Sequence, residues 1–419
     1  MKDLKTIILA AGKGTRMKSD VPKVLHKVCG KTIIQYVLDI TQAIGSQKTI
    51  VVLGHKIQEV RENLPAEIEV VEQKKLLGTA DAIKSAHSHL NSFNGDVLVL
   101  CGDTPLLTKE TVKNIVRKHK KTKAACTFLT AVVQNPQGYG RVIRDQSGRA
   151  VAIREDKDAN GREREIAEIN AGVYCFDCRG LYDALGRVKQ NKLKNEFYLT
   201  DVVEILTEKG LTVQTVSTDD FTEALGVNSR ADLAQSESVI RRRLLDRLME
   251  QGVSIVDPNT TYIQADVRIG QDTVIRPFTV IENNVRIGKK CVIGPFARLR
   301  EGSRIGNAVE VGNFAEVSRT KIGDYSLMKH FGFLGDSTLG RRVNIGAGTV
   351  TANYDGVNKN LTRIDDEAFI GSDSILVAPV KIGKRSIIGA GSVVVRRNIP
   401  DDSKAVGVPA RVIKKGNNQ

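Results

Sequence analysis

The sequence predicts an α/β protein built from two unlike halves: a domain with a mainly parallel sheet, followed by a parallel β-helix. Three observations carry this. Short apolar runs alternate with amphipathic stretches up to residue 228. An aliphatic residue then returns at every sixth position from Ile263 onward. Between the two patterns, residues 229–252 read as one long amphipathic helix. The limits that follow are 1–228 for the first domain, 229–252 for a linker helix and 253–419 for the second domain. At 419 residues the chain is too long for one ordinary core.

In the first half, Thr6–Ala10, Thr49–Leu53, Glu67–Val71 and Val97–Leu100 read as buried strands. Lys31–Ile44, Thr79–Leu90 and Lys109–His119 read as the helices between them. In parallel sheets of this kind, ligands bind beyond the carboxyl ends of the strands. The linker carries Val239-Ile240, Leu244-Leu245 and Leu248 among Arg and Glu, and Gly252 ends it. Ile263, Ile269, Ile275, Ile281, Ile287, Ile293, Leu299, Ile305, Val311 and Val317 then fall at strict six-residue intervals. A five-residue step reaches Ile322, and a last series runs Ile364, Ile370, Leu376, Ile382, Ile388 and Val394. Each hexapeptide makes one flat side of a coil, with its aliphatic residue on the axis and a small residue easing the corner. Between Ile345 and Ile364 the repeat is broken by Thr351–Asn360, and loops thrown out of a solenoid tend to carry binding groups.

Composition excludes several classes. With 41% hydrophobic and 26% charged residues, the chain is globular rather than disordered. No apolar run approaches the ~20 residues that cross a bilayer. The first run is also too short for a signal peptide, which predicts a cytoplasmic protein without membrane insertion. Six cysteines are too few and too scattered for a disulfide scaffold. Cys175 and Cys178 have C-x-x-C spacing, but no second pair or spaced histidine completes a zinc site, so they read as structural. The net charge of +15 is spread over both halves, aromatics are 5% and Trp is absent. That predicts no nucleic-acid partner and suits phosphorylated small molecules better.

Leu9-Ala10-Ala11-Gly12-Lys13-Gly14-Thr15-Arg16-Met17 directly follows the first strand. Its glycines let backbone N–H groups approach a phosphate, and Lys13 and Arg16 add positive charge. The run fits neither the Walker pattern nor the full dinucleotide fingerprint. Pro22-Lys23 supplies a second, rigidly held cation. This combination resembles the signature of sugar-1-phosphate nucleotidyltransferases, whose domain is Rossmann-like. Gln73 with Leu77–Ala80, Cys101–Leu106, Gly138–Arg141, Glu155–Ala159, Glu168–Gly172, Tyr198–Asp201 and Gly226–Asn228 narrow the resemblance. Together with the hexapeptide half, they are similar to a bacterial bifunctional family. It joins an N-acetylglucosamine-1-phosphate uridylyltransferase to a glucosamine-1-phosphate acetyltransferase built as a left-handed parallel β-helix.

The resemblance implies a role for each position. Leu9, Ala10, Ala11 and Gly12, with Gln73, Gly78 and Thr79, would hold the uridine of UTP. Arg16 and Lys23 would neutralise the triphosphate. Asp103 and Asn228 would ligate Mg2+, and Gly140, Glu155, Asn170 and Thr200 would surround N-acetylglucosamine 1-phosphate. The attacking oxygen is already anionic, so the reaction needs positioning, charge neutralisation and a metal on the α-phosphate rather than a general base.

In the second half Ile293–Arg300, Val343–Thr349, Asn353–Gly356, Lys359 and Ile370–Asp373 carry the resemblance. It implies that Arg300 binds the sugar phosphate and that His330 is the general base for the attacking amine of glucosamine 1-phosphate. An imidazole of pKa ~6.5 suits that transfer near neutrality. Asn344, Asn353, Tyr354 and Lys359 would line the acceptor, and Ala347, Ser372 and Ala390 would meet acetyl-CoA. A homotrimer is implied as well.

The acceptor positions depart from the family pattern. Ser318 stands where the family has a phosphate-binding Lys, and Phe333 where it has a Tyr. Met328-Lys329 replace the small residues before His330, the solenoid before Gly294 is shorter, and the tail Ala405–Lys414 is that of generic hexapeptide acyltransferases. Losing a cation and a hydroxyl weakens a site for an anionic sugar unless Arg319 or Lys329 restores the charge. Three readings therefore stay open for the β-helix. It is an acetyltransferase, or it is a trimerisation stalk, or a transferase for another acceptor, on a monofunctional nucleotidyltransferase.

Overall fold

The computed structural model describes residues 3–191 and 195–413; Lys414, at the end of the tail run, lies outside them. The chain divides into two compact units, Met1–Glu237 and Ser238–Gln419. The division falls inside the helix Arg230–Glu250.

In the first unit the main path of the sheet is Val213–Thr218, Cys126–Val132, Glu168–Asp177, Asp96–Cys101, Leu4–Leu9, Lys48–Leu53, Glu69–Glu72. Leu4–Leu9 lies parallel to Asp96–Cys101 on one side and to Lys48–Leu53 on the other. Ile7 and Ile8 are both fully buried, each in a different apolar cluster, so the sheet is covered on both faces. That is why these strands read as unbroken apolar runs. Four of the six pairings along this path are parallel, but Glu168–Asp177 runs antiparallel to both of its neighbours, so the sheet is mixed. Arg141–Arg144 and Ala150–Arg154 add an antiparallel hairpin, whose connection is too short for a parallel crossover.

Two helices start or divide differently from the sequence reading, and a third runs on from Lys109 to Thr122. Lys31-Thr32 pairs with Lys27-Val28 around a turn in which Cys29 (φ 45°) and Gly30 (φ 79°) are both left-handed, the type I′ requirement. The helix therefore starts only at Ile33 and runs to Ala43. The stretch from Thr79 splits into an α-helix, Thr79–Ser85, and a tighter 3-10 turn, His87–Leu90. None of the six cysteines, all among the described residues, is in a disulfide. Burial pushes the thiols of Cys175 and Cys178 upward, which disfavours the reactive thiolate. The histidine nearest to Cys175 arrives through the fold. His119 sits with its Nε2 3.4 Å from Asp96 and its Nδ1 3.1 Å from the Thr127 hydroxyl.

In the second unit the coils form three parallel sheets, with successive strands falling in the three sheets in turn, as a left-handed parallel β-helix requires, and the last strand, Ala410–Ile413, folds back antiparallel on Lys404–Gly407. Register stacks like on like: Ile275 on Ile293, Ile281 on Leu299, Ile287 on Ile305. These aliphatics form one continuous core, which also takes in Leu245 and Leu248 from the helix. Because Ile293 is completely buried among neighbours fixed by backbone register, Ile293→Ala should cost about 2–5 kcal/mol. Denaturant unfolding of the full chain checks this, and a loss below about 1 kcal/mol would mean the coil collapses around the gap.

Candidate functional site

Ten of the positions singled out in the first half come together. Leu9, Ala10, Ala11, Gly12, Lys23, Gln73, Gly78, Thr79, Asp103 and Glu155 line one cleft of about 420 Å3. It lies at the carboxyl ends of Leu4–Leu9 and Asp96–Cys101, where the Gly102 N–H donates to Leu9 O (2.9 Å). The Val227 N–H donates to Asp103 O (2.8 Å), which brings Asn228 in from far along the chain. The Lys23 ammonium then lies 2.5 Å from Asp103 Oδ2 and 3.1 Å from Asn228 Oδ1. Lys23 can pass because Gly14, at φ +60°, has no Cβ; one would fall 2.8 Å from the Cβ of Lys23. A Cβ on Gly12 would meet nothing within 4 Å, so that glycine only leaves room. Arg16 is exposed on the 3-10 turn Thr15–Met17 and does not line the cleft. Its charge is felt at Tyr139, together with that of Asp103.

The far wall is fixed by side-chain amides and hydroxyls. Gln73 is nearly buried and donates from Nε2 to Gly78 O (3.0 Å) and to Asp81 Oδ2 (2.8 Å). Gly78 sits at φ +101°, and a Cβ there would fall 2.5 Å from Phe197 O. Thr79 Oγ1 accepts from the Leu199 N–H (3.0 Å), and the Thr200 hydroxyl donates to Glu155 Oε1 (2.8 Å). Gly140 and Asn170 pair through the backbone, the Asn170 N–H donating to Gly140 O (2.9 Å). The Asn170 amide is itself occupied, donating to the Tyr174 hydroxyl (2.6 Å). Glu196, Tyr198, Cys101 and Leu76 also line the cleft and were not singled out. Tyr198 and Cys101 lie inside runs quoted from the sequence; Glu196 and Leu76 gave no signal there.

Burial, and then the charges of Asp158, Glu196 and Asp156, hold the Glu155 carboxyl above the usual range despite the Thr200 hydroxyl. Burial, Glu204 and Glu155 likewise push Asp201 up to about 6. A carboxyl raised in the fold stabilises it below the unfolded pKa of ~3.9, and that contribution is lost as pH rises through the folded value. Asp201→Asn is therefore expected to raise the thermal midpoint at pH 7–8 and to flatten its dependence between about pH 4 and 6. Equal pH profiles for the two proteins would show that solvent screens the group.

In the β-helix, register brings together four residues that the sequence leaves apart. Leu327 pairs with Asn344, Asn344 with Phe369, and Phe369 with Ile387. Three residues beyond these partners come His330, Ala347, Ser372 and Ala390, equivalent positions on successive coils. The corner is closed by backbone bonds: the Gly348 N–H donates to Phe331 O (2.8 Å), Asp373 to Ala347 O (2.6 Å) and Gly391 to Ser372 O (2.8 Å). His330 is exposed at the head of this column. Asn344 lies on the same sheet.

The interrupting loop is a small hairpin. Tyr354 bridges Lys359, and the Asn360 N–H donates to Asn353 O (2.7 Å). Asp355 ties it together by accepting from the Asn358 N–H, the Asn360 amide and the Val357 N–H, which pull its carboxyl down to about 2. Arg300 pairs with Glu316 (3.1 Å). Ser318 is completely buried, its hydroxyl accepting from Arg319 (2.9 Å). Arg319 forks onto both oxygens of Asp336 (2.6 and 2.8 Å), and Asp336 also accepts from the Asn353 amide. Lys329 turns to Glu310 (3.2 Å). Both candidate replacement cations are thus already paired with a carboxylate, and Asn353 is committed to the same cluster.

Residues 6–171 match the MobA-like NTP transferase domain, and 266–301, 284–319 and 362–396 match the bacterial transferase hexapeptide (six repeats). The Bifunctional protein GlmU of Geobacillus thermodenitrificans (strain NG80-2) is 43% identical over 98% of this chain and 96% of its own length. That of Clostridioides difficile (strain 630) is 42% identical over 99% and 97%. That of Bacillus subtilis (strain 168) is 42% identical over 97% and 96%. Both halves, in the same order and over nearly the whole length, find their counterparts, and the chain belongs to the GlmU family of bifunctional proteins.

Proposed function

We infer that this chain makes UDP-N-acetylglucosamine, transferring UMP from UTP to N-acetylglucosamine 1-phosphate with release of pyrophosphate. Its β-helix acetylates glucosamine 1-phosphate from acetyl-CoA. The observation that carries the first activity is the convergence of Asp103, Asn228 and Lys23 at one end of the cleft. Two oxygens within reach of a single point form the hard donor set that Mg2+ takes, so Asp103 and Asn228 fit that ion. When bound, Mg2+ withdraws charge from the α-phosphate. Lys23 lies in position to neutralise the phosphates, and Arg16 supplies further charge from outside the cleft. The Gln73–Gly78–Thr79 wall holds the base, while Glu155 and Thr200 face the sugar, with Gly140 and Asn170 bracing that side.

The column His330–Ala347–Ser372–Ala390 supports the second activity. A pantetheine arm laid along it would bring the thioester to His330, which takes the proton from the attacking amine as the CoA thiolate leaves. Arg300, Asn344, Tyr354 and Lys359 supply the acceptor side, in a homotrimer working in the cytoplasm. One observation favours a second reading: Ser318 is buried, and Arg319 and Lys329 are already paired, so the acetyl group could go to an acceptor with less negative charge. Pyrophosphate release and free-thiol release, each measured on the wild-type chain with its sugar phosphate, test both. Turnover in both assays is expected. Pyrophosphate without thiol would leave a uridylyltransferase with a redirected or idle β-helix.

A further inference from the structure

One face of the β-helix is strongly and selectively cationic. Its outward residues pair in register, Arg268 beside Arg286, Arg286 beside Arg304 and Arg304 beside Lys321. The series continues through Thr338 to Arg363 and Lys381. On the second face the equivalent rungs are Val274, Val292, Glu310 and Leu327, and on the third Tyr262, Val280, Arg298 and Glu316. Register thus lines up on one face six cations that the sequence spaces far apart. Like charges directly opposite one another on neighbouring strands repel, at a rung spacing of about 4.8 Å.

The fold neutralises the far end of this ladder and leaves the near end bare. Asp365 lies 2.7 Å from Arg363 and 3.5 Å from Lys381. Among the described residues, none of Arg268, Arg286, Arg304 and Lys321 has a carboxylate within 4.0 Å. Arg286 donates only to the carbonyl oxygens of Asp266 and Val285. Asp365 stands two residues after its cation, the position held by Gly270, Gly288, Gly306 and Gly323 in the upper rungs. Packing forbids a side chain there: a Cβ on Gly288 would fall 2.5 Å from Gly306 O, and one on Gly323 2.3 Å from Gly340 O. An internal counter-ion at that place is thus excluded by coil-to-coil contact.

We propose that the four rungs Arg268, Arg286, Arg304 and Lys321 form a binding strip for a linear phosphate polyanion lying along the solenoid, with inorganic polyphosphate as its simplest form. The strip spans about 14 Å over its four strands, and at its near end Arg247 of the helix lines the same groove as Arg268 and Arg286. The residues on either side of each cation in the strand, such as Val285 and Ile287 around Arg286, are buried. A single file of positive charge matches a single file of phosphates, whereas a membrane surface rewards cations spread over a plane. The strip carries no aromatic residue to stack a base, so what it recognises is the phosphate row.

The test is fluorescence anisotropy of the full-length chain with labelled inorganic polyphosphate over a range of KCl. If four rungs are neutralised, log K should fall with log[KCl] at a slope of about −3, taking ~0.7 per contact for a single strand. Arg286→Glu with Arg304→Glu should weaken binding at least tenfold and roughly halve the slope, with pyrophosphate and thiol release unchanged. Arg286→Gln with Arg304→Gln gives the same reading in milder form if the Glu pair fails to fold. Lys109→Glu with Lys113→Glu, equal in charge but in the first unit, should leave binding as it was. An oligothymidylate of matched charge that binds through the same residues supports recognition of phosphate. Undiminished binding by both ladder variants overturns the proposal. So does tighter binding to vesicles containing phosphatidylglycerol, or a change in assembly size on light scattering, which would make the face an interface between copies.

Discussion

Asp103→Ala is expected to lower pyrophosphate release at least about a thousandfold, equivalent to ~4 kcal/mol of transition-state stabilisation. The variant removes one of the two oxygen donors that meet at Lys23, and the loss falls on charge developing in the transition state. It also leaves the Lys23 ammonium, which is only 13% exposed, without its carboxylate. Part of any effect could therefore come from local rearrangement. Asp103→Asn separates the two causes, because it keeps the shape and a hydrogen-bond acceptor for Lys23 while removing the charge. Both variants should fall together in rate while Asp103→Asn keeps the wild-type thermal midpoint. Wild-type turnover by Asp103→Asn would take the carboxylate out of the reaction.

For the β-helix, His330→Ala should reduce thiol release from acetyl-CoA with glucosamine 1-phosphate by about 10²–10⁴-fold, the usual range for a positioned base. His330 is exposed at a corner, so removing its ring opens no cavity, and the stability of the solenoid should not change. Pyrophosphate release should be untouched. The comparison that matters is with Arg319→Ala. This residue bonds Ser318, forks onto Asp336 and sits one step from Asn353. If Arg319 serves the acceptor, its loss should raise the KM for glucosamine 1-phosphate. If it only ties the coil together, the loss should appear as lower stability. Thiol release that ignores His330 would leave the β-helix an assembly domain or give it another base.

The β-helix was legible in the sequence almost residue by residue. Its rule is local: each hexapeptide packs on its neighbours, so a period of six fixes which side chain points inward. Ile275, Ile281, Ile293 and Leu299 are all fully buried, as that period requires. The cleft was legible differently, because a glycine-rich turn after a buried strand and the motifs beyond it name its lining positions. Neither rule reaches across the chain. The antiparallel strand Glu168–Asp177 lay beyond the four apolar runs read from the sequence, which happen to be mutually parallel.

By itself, then, the sequence determined the two folds, the family and most of the cleft wall. Only the tertiary structure decided that Lys23 rests between Asp103 and Asn228, residues 80 and 205 positions away. It also decided that Arg319 turns to Asp336 rather than outward, and that Asn170 spends its amide on Tyr174. The cation ladder belongs with these, since its rungs are neighbours only through pairing between coils. The physical reason is the same in each case. Inward or outward placement follows from local periodicity, whereas the partner of a long charged side chain depends on groups that only the folded chain brings within reach.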